Sequence, residues 1–195
     1  MPCTGSDKAD PLEAAWEVHR VLTGMGIPYV IIGGIAVQRW GEPRFTEDVD
    51  VTVLAPSGEE EMVVRKLISA FRPRIEDALD FALRNRVCLV QVRGIPVDIS
   101  LGLPGYEEEV MRRAVESDLG CGRTVRICSP EDLIVHKAVA GRPQDLRDIE
   151  GIVLRQAGKL DVGYIRMWLR EFSAALDDPE VEERFEGIWR RREAM

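Results

Sequence analysis

The sequence is poor in the residues that build zinc sites and disulfide frameworks. Its 195 residues include only four cysteines and two histidines, and no two cysteines stand in a C-x-x-C arrangement. This scarcity argues against a zinc site. We therefore expect reduced thiols, with Cys88, which lies in an apolar segment, serving as a small core side chain.

The sequence also lacks a long apolar segment and an excess of positive charge. No apolar run approaches the roughly 20 residues of a membrane-spanning helix, and no secretory apolar region opens the chain. We therefore expect no membrane partner and a cytoplasmic location. The net charge of −8 argues against wrapping of nucleic acid, which depends on many Lys and Arg contacts to phosphates. A small-molecule partner, or an RNA end held at a local basic patch, remains compatible with this charge.

The most informative segment runs from Tyr29 to Leu54. It predicts a buried strand, a turn at Gly33 and Gly34, a short helix, and a second strand that carries Asp48 and Asp50. Side chains two apart on a strand project to the same face, so both carboxylates point to one place. A divalent cation relieves their repulsion, and hard oxygen ligands suit Mg²⁺. Glycines at a helix N-terminus allow backbone N–H groups to approach a polyphosphate.

Each part of this segment alone has a plainer interpretation. A Gly-Gly after a strand is commonly a turn, and an Asp-x-Asp is commonly a solvated strand edge. The combination favours a site, because a strand otherwise built of valine gains no stability from two carboxylates on one face.

A third carboxylate lies further along, in a hairpin predicted over Val87 to Val92 and Ile95 to Leu101. Asp98 stands in its second strand between two apolar β-branched residues. Alone it is equally well explained as a solvent-facing side chain. Because an unpaired buried charge is costly, we expect it beside Asp48 and Asp50 as the third ligand or a general base.

These residues resemble the nucleotidyltransferase signature of the DNA polymerase β-like superfamily. Gly33-Gly34 is followed, after a spacer of thirteen residues, by Asp48-Val49-Asp50-Val51 and then by a later strand aspartate. Within the superfamily, the chain is most similar to minimal nucleotidyltransferases of the AbiEii-like toxin type. That similarity rests on the core from Arg44 to Asp50 and the block from Leu133 to Ile152, and the whole resemblance spans about Tyr29 to Ile152.

The resemblance implies transfer of a nucleoside monophosphate from a nucleoside triphosphate (NTP) to an acceptor hydroxyl, with two Mg²⁺ ions as cofactors. It implies that Asp48, Asp50 and Asp98 hold the metal, and that Asp98 takes the acceptor's proton. Lys137 is implied as a catalytic residue that reaches the triphosphate. The residues predicted to bind the nucleotide are Gly33, Gly34, Arg44, Thr46, Lys137 and Asp145.

Several of these residues have alternative roles. From its local pattern, Lys137 would pack its stem on the core and reach water with its ammonium, whereas the family pattern favours a triphosphate contact. Asp145 lies eight residues later across a helix break and is predicted to pair with Lys137. For Asp148 we favour a first-turn acid that stabilises the helix dipole. A surface salt bridge is the alternative for Arg44, and His136 is expected to be structural.

If the protein is an enzyme, two kinds of acceptor substrate are considered. The first is tRNA or a protein, modified by the toxin of a toxin–antitoxin pair, which would have an antitoxin protein as partner. The second is a small molecule, as in aminoglycoside or lincosamide nucleotidyltransferases. A non-catalytic nucleotide-binding module is a third interpretation, against which the complete aspartate set argues.

The predicted fold is α/β (α+β): a nucleotidyltransferase-like mixed β-sheet flanked by helices, with a helical C-terminal region. The predicted division is a core over residues 1–128 and a helical region over residues 129–195, after a flexible tail of residues 1–10. Strands are expected to begin at Tyr29, Val49, Val87, Ile95 and Thr124. Helices are expected over Pro11 to Gly24, Gly34 to Trp40, Glu59 to Phe71, Arg74 to Asn85 and Tyr106 to Val115, and from Pro130 onward.

Overall fold

The computed structural model describes residues 10–156 and 158–194, so the predicted tail, apart from Asp10, lies outside the described residues. The helices are α1 (Pro11–Gly24), α2 (Gly33–Trp40), α3 (Glu60–Ala70), α4 (Ala78–Asn85), α5 (Tyr106–Arg113), α6 (Pro130–Ala140), α7 (Pro143–Gln156), α8 (Val162–Leu176) and α9 (Glu180–Glu193). The strands are β1 (Tyr29–Ile31), β2 (Val49–Leu54), β3 (Arg72–Pro73), β4 (Val87–Val92), β5 (Ile95–Gly102), β6 (Val115–Asp118) and β7 (Thr124–Ile127).

These strands form one seven-stranded sheet in the order β3-β4-β5-β2-β1-β7-β6. Strand β2 pairs with β1 in antiparallel and with β5 in parallel orientation. Strand β1 pairs in parallel with β7, while β4 and β5 form the predicted antiparallel hairpin. The predicted mixed sheet flanked by helices is therefore confirmed.

Alternation along β2 and β5 separates the core face from the face that carries aspartates. Val49, Val51 and Val53 are completely buried on β2, as are Val97 and Ile99 on β5. Side chains at the intervening positions point to the opposite face because the strand repeat is two residues. Burial of the valine face thus determines which face the polar side chains occupy.

Two strands were not predicted. Residues 72 and 73 pair with β4, and Arg74 N–H donates to Leu89 O at 3.0 Å, so the helix predicted from Arg74 begins only at Ala78. The predicted helix from Tyr106 ends at Arg113, and β6 then pairs with β7. The Glu-Ser-Asp composition of β6 has low strand propensity, so its pairing with β7 outweighs a weak local preference.

The chain divides into two compact units. The first contains Ile35 and the residues before it together with Phe45–Cys128, and the second contains Ala36–Arg44 and the residues from Ser129 onward. All the described strands lie in the first unit, with α1, α3, α4 and α5. The second unit contains α6 to α9 and most of α2. Its largest fully buried side chains are Leu133, Ile134, Ile149, Ile152, Ile165, Leu169 and Phe185.

Helix α6 begins at Pro130, as predicted, and Ser129 is its N-cap. Ser129 Oγ accepts a hydrogen bond from Asp132 N–H at 3.1 Å and donates to Asp132 Oδ2 at 2.6 Å. Tyr164 OH donates to the other oxygen of Asp132 at 2.7 Å. The buried Asp132 carboxylate is thus held by hydroxyls from two helices, which fixes the start of α6 within the second unit.

The cysteines correct one expectation. Cys88 and Cys128 are free and buried, and burial raises the pKa of the Cys88 thiol to about 11. Cys121, however, is disulfide-bonded, so the expectation of reduced thiols is wrong at this position. In the described ranges, no helix combines the length and the apolar character needed to cross a membrane.

Candidate active site

The first unit brings two of the predicted aspartates together. Asp50 on β2 and Asp98 on β5 are register partners in the parallel pairing of these strands. Neighbouring strands lie about 4.8 Å apart and register partners share a face, so the two side chains emerge next to each other. Asp48 lies in the bend just before β2 and is exposed. It therefore approaches from the loop, and not from the strand as predicted.

Gly33 and Gly34 pack directly against the predicted site residues. Gly33 has φ +61°, and a Cβ built on it would lie 1.9 Å from Asp50 Oδ2. A Cβ on Gly34 would lie 2.3 Å from Thr46 Oγ1. Neither position has room for a side chain, so both require glycine. The glycine backbone at the start of α2 consequently lies against the Asp50 carboxylate.

Thr46 connects the loop to Asp48. It is buried, and its hydroxyl donates a hydrogen bond to Asp48 Oδ1 at 2.9 Å. This bond restrains an otherwise exposed carboxylate. Thr46 therefore restrains Asp48, and its predicted contact with the nucleotide stays a prediction.

Asp98 has a partner that the sequence did not indicate. Its carboxylate forms an ion pair with Arg74, and both side chains are partly exposed. The sequence predicts that Arg74 starts a helix. That its side chain extends toward β5 follows only from the pairing of β3 with β4. The guanidinium partly offsets the negative charge that gathers at Asp50 and Asp98.

The donor chemistry of this site is compatible with Mg²⁺. Among residues 10–156 and 158–194, no three His, Cys, Asp or Glu side chains gather into a group that could hold a metal ion. Mg²⁺ usually takes only one or two carboxylates and completes its coordination with waters and substrate phosphates. The adjacent Asp50 and Asp98 carboxylates can provide these one or two ligands. The assignment of a metal to them stays a prediction.

Lys137 belongs to the second unit and is buried there among carboxylates. Its Nζ lies 2.8 Å from Asp145 Oδ1 and 2.9 Å from Asp148 Oδ2, and the residue is 5% exposed. The predicted pairing of Lys137 with Asp145 is confirmed. The alternative in which the ammonium reaches water is wrong, because the two carboxylates hold it inside.

Two arginines complete this group, which we call the lysine cluster: Lys137, Asp145, Asp148, Arg44 and Arg142. Arg44 binds Asp148 through Nε and a terminal nitrogen at 3.0 and 3.2 Å. Arg142 binds Asp145 through the equivalent atoms at 2.6 and 3.2 Å. Arg44 thus forms a salt bridge, but with the buried Asp148, and not the simple surface salt bridge considered as its alternative.

Asp148 does not act through the helix dipole as favoured from the sequence. It lies in the second turn of α7, where its side chain binds Arg44 and Lys137. Burial by itself would raise the pKa of Asp148, but hydrogen bonds from Arg44 and Lys137 outweigh this effect and hold the pKa below its usual value. The same balance, with Arg142 and Lys137 as donors, lowers the pKa of Asp145.

Both carboxylates of the cluster are saturated with donors. Asp148 accepts from Arg44 twice, from Gln144 at 2.9 Å and from Lys137. Asp145 accepts three times from Arg142, including its backbone N–H, and once from Lys137. A carboxylate offers about four acceptor positions, so neither group has capacity left for a metal ion.

His136 is the neighbour of Lys137 on α6. Burial, with a smaller contribution from the Lys137 charge, lowers the pKa of His136 to about 4. The imidazole is therefore neutral at pH 7, in agreement with the expected structural role.

Comparison with known proteins identifies the class. The structure is similar to the antibiotic-resistance factor ANT(2'')-Ia in its solution structure, with a TM-score of 0.55 and 21% identity over 85% of this chain and 94% of that chain. A crystal structure of ANT(2'')-Ia with adenylyl-2''-tobramycin gives a TM-score of 0.46 at 20% identity, covering 93% and 98% of the two chains. An antigenic nucleotidyltransferase-like protein from Paracoccidioides brasiliensis gives 0.48 at 18% identity, covering 91% and 93%.

The similarity to the solution structure of ANT(2'')-Ia shows that the two proteins share a fold. The sequence model of one family, described as nucleotidyltransferase of unknown function (DUF6036), matches residues 16–188. The chain belongs to this family and is a nucleotidyltransferase. A comparison with curated proteins found no match. None of these findings identifies the AbiEii-like toxin type, so that finer resemblance stays a prediction.

Proposed function

We propose that this nucleotidyltransferase uses Asp48, Asp50 and Asp98 to hold Mg²⁺ and transfers a nucleoside monophosphate to an acceptor hydroxyl. The observation that carries the proposal is the close approach of Gly33 to the Asp50 carboxylate, beside the register partner Asp98. A glycine held in a left-handed conformation against a carboxylate serves no evident packing purpose. It does allow backbone and carboxylate to approach one polyphosphate together.

In this proposal each residue has a defined task. The acceptor oxygen forms a bond to the α-phosphorus as the bond to the bridging oxygen of pyrophosphate breaks, and Asp98 accepts the hydroxyl proton. Gly33 and Gly34 present backbone N–H groups to the phosphates, and Thr46 keeps Asp48 in place. Two Mg²⁺ ions, when bound, would supply charge stabilisation for the attacking and leaving oxygens.

The lysine cluster has an anion-binding task in the same proposal. Arg44 extends a half-exposed guanidinium, which suits the bidentate binding of phosphate oxygens. Lys137 and Asp145 act on the triphosphate through the order they impose on the cluster, since their own polar atoms are engaged with each other. A direct contact from Lys137 to the triphosphate would have to use the third N–H of its ammonium, beside the contacts to Asp145 and Asp148.

The metal site is tested by Asp50→Asn, which removes a charge while keeping the side-chain shape. The control is Glu116→Gln, which removes an exposed carboxylate from β6 of the same sheet. We expect Asp50→Asn to keep the wild-type circular dichroism spectrum and to lose transfer in MgCl₂, and we expect Glu116→Gln to transfer normally. Wild-type rates in Asp50→Asn would refute the assignment.

For the acceptor, we propose tRNA or a protein, modified by the chain as the toxin of a toxin–antitoxin pair. Support comes from the resemblance of the Arg44–Asp50 core and the Lys137 block to the AbiEii-like type. Incubation with each labelled triphosphate, and with tRNA, total protein or an aminoglycoside panel, tests it. Label in tRNA or protein is expected. Label in an aminoglycoside, the class of molecule bound to the structural neighbour ANT(2'')-Ia as adenylyl-tobramycin, would replace this proposal with antibiotic modification.

A further inference from the structure

We infer that the acceptor is a nucleic acid whose phosphates are bound by Arg72 and Arg74, on the sheet face that carries Asp98. The inference rests on the proposed function, in which the acceptor hydroxyl gives its proton to Asp98. Of the acceptors proposed there, it selects tRNA over a protein. The residues that carry it all belong to the first unit.

Both arginines lie on the same face of the sheet as Asp98. Arg72 and Arg74 are two residues apart and share a face, whereas the buried Phe71, one position earlier, lies on the other. Arg74 N–H donates to Leu89 O at 3.0 Å, and Leu89 is the register partner of Asp98. Arg74, Leu89 and Asp98 thus form one row across the sheet. The ion pair between Arg74 and Asp98 places both side chains on the same face.

The distances along this face suit a short stretch of nucleotide chain. Neighbouring strands lie about 4.8 Å apart, so two strand spacings put the backbone of Arg74 about 10 Å from that of Asp98. Arg72 lies a two-residue step further along the sheet edge, about 7 Å from Arg74. A chain whose hydroxyl lies at Asp98 would therefore meet Arg74 first and Arg72 next.

Charge is separated across this face. Asp50 and Asp98 lie on β2 and β5, whereas β3 and β4, together with Arg74, contain two arginines and no acidic residue. Guanidinium groups bind phosphate oxygens in a bidentate manner, and they repel a polycation such as an aminoglycoside. This side of the face thus supplies a local basic patch in a chain whose net charge is −8.

The place of the patch beside Asp98 favours a nucleic acid over a protein. Every terminal hydroxyl of a nucleic acid has a phosphate close to it in the chain. A hydroxyl in a protein has acidic neighbours only where the sequence supplies them. Arginines fixed beside the proposed acceptor position therefore suit the substrate that always carries anions there.

The two arginines are available to an acceptor at little cost. Arg72 is exposed, and within the described part of the chain no hydrogen bond or ion pair engages its side chain. Arg74 is paired with Asp98, but both side chains are partly exposed, and an exposed ion pair contributes little to stability. Arg74 can therefore exchange Asp98 for a phosphate when that carboxylate binds a metal ion.

A cavity of about 330 Å³ extends the patch at the end of β4. It is lined by Arg72, Gln91 and Arg93, and Arg93 is exposed in the turn between β4 and β5. Glu17 lines the cavity as well, and its carboxylate binds Arg20 at 3.3 Å. Two guanidinium groups thus meet one acid that already has a partner, so the cavity suits a phosphate.

The experiment measures Kd for total tRNA, labelled with a fluorophore at its 5′ end, by anisotropy in MgCl₂ without NTP, over a range of KCl concentrations. Arg72→Gln should raise Kd roughly tenfold, as for a lost hydrogen bond to a charged group. The slope of log Kd against log[KCl] should fall by about 0.7–0.9, as for one lost phosphate contact. Arg72→Lys keeps the charge and should keep the slope.

The matched control is Arg65→Gln, which removes an exposed arginine from α3 of the same unit. It should bind tRNA as the wild type does. Calorimetry with NTP should give the wild-type Kd for Arg72→Gln, because the contact is with the acceptor and not with the triphosphate. Circular dichroism of each variant checks that it is folded.

Four results would overturn the inference: no binding of tRNA by the wild type, unchanged binding by Arg72→Gln, equal weakening by Arg65→Gln, or displacement of tRNA by poly-glutamate that depends on Arg72. The last would favour an acidic protein as acceptor. Wild-type labelling of limiting tRNA by Arg72→Gln would refute the patch and leave the proposed function standing. Loss of tRNA binding in Arg72→Gln, with full transfer by Asp50→Asn, would support the patch and refute only the metal site.

Discussion

Gly33→Ala offers the sharpest test of the active-site geometry, because the structure shows both the backbone conformation that alanine would have to adopt and the atoms that its Cβ would meet. Residue 33 has φ +61°, and the new Cβ would lie 1.9 Å from Asp50 Oδ2, 2.6 Å from Cγ and 2.8 Å from Cβ of the same side chain. Real Cβ atoms essentially never approach another heavy atom within 3.0 Å. The Asp50 carboxylate must therefore move away.

Two separate penalties follow from this substitution. A left-handed conformation costs a non-glycine residue roughly 1–2 kcal/mol. The carboxylate must also withdraw by about 1 Å, a displacement of the size that costs on the order of a hundredfold in rate when it affects a catalytic group. We thus expect a moderate loss of stability and a much larger loss of transfer.

Gly26→Ala is the matched control. Gly26 has φ +66°, close to that of Gly33, but no heavy atom lies within 4 Å of the Cβ built there. Both variants carry the conformational strain, and only Gly33→Ala displaces Asp50. Urea denaturation should show comparable losses of unfolding free energy, with an added loss in Gly33→Ala from the collision. A labelled-NTP assay should show near-normal transfer in Gly26→Ala. Equal transfer by the two variants would refute the reasoning.

The remaining predictions concern the second unit. Lys137→Met should lower the unfolding free energy by roughly 3 kcal/mol, because the buried carboxylates of Asp145 and Asp148 lose their shared cation; a urea titration showing no loss would contradict this. Stability should fall as pH drops from 6.5 to 4, since the folded state holds the pKa of His136 at about 4 and only the unfolded imidazole takes up a proton in that range; His136→Gln should flatten the decline. Below pH 4 a further loss is expected, because the lowered pKa values of Asp145 and Asp148 stabilise the fold only while both are ionised. Ser129→Ala should cost about 1 kcal/mol in thermal unfolding, through loss of the α6 N-cap.

The aspartate strands could be predicted because their signals are local. Alternation of valine with Asp50 and Asp98 follows from the two-residue repeat of a strand, so their faces could be assigned without knowing the topology. The pairing of Lys137 with Asp145 was also accessible, since only eight residues and a helix break separate them.

The partners that complete both groups could not be predicted in this way. Arg44 and Asp148 are 104 residues apart, and no local pattern connects them. Arg74 reaches Asp98 because β3 pairs with β4, and β3 has only two residues, one of them a proline. Such a short segment resembles a loop in sequence, and its pairing depends on the neighbouring strand. Long-range ion pairs thus require the folded topology.

The net charge of the lysine cluster offers a test that separates attraction by charge from the ordering of Arg44. Lys137, Arg44 and Arg142 supply three positive charges against two carboxylates, so the cluster keeps a net charge of +1. Lys137→Met lowers that charge to zero, whereas Asp148→Asn raises it to +2. If the cluster binds NTP by charge alone, these variants must shift Kd in opposite directions. If it acts by holding Arg44 in place, both must weaken binding. When Kd is measured by calorimetry in MgCl₂ without acceptor, changes of opposite sign would show that the orientation of Arg44 does not matter, since each variant loosens the same guanidinium.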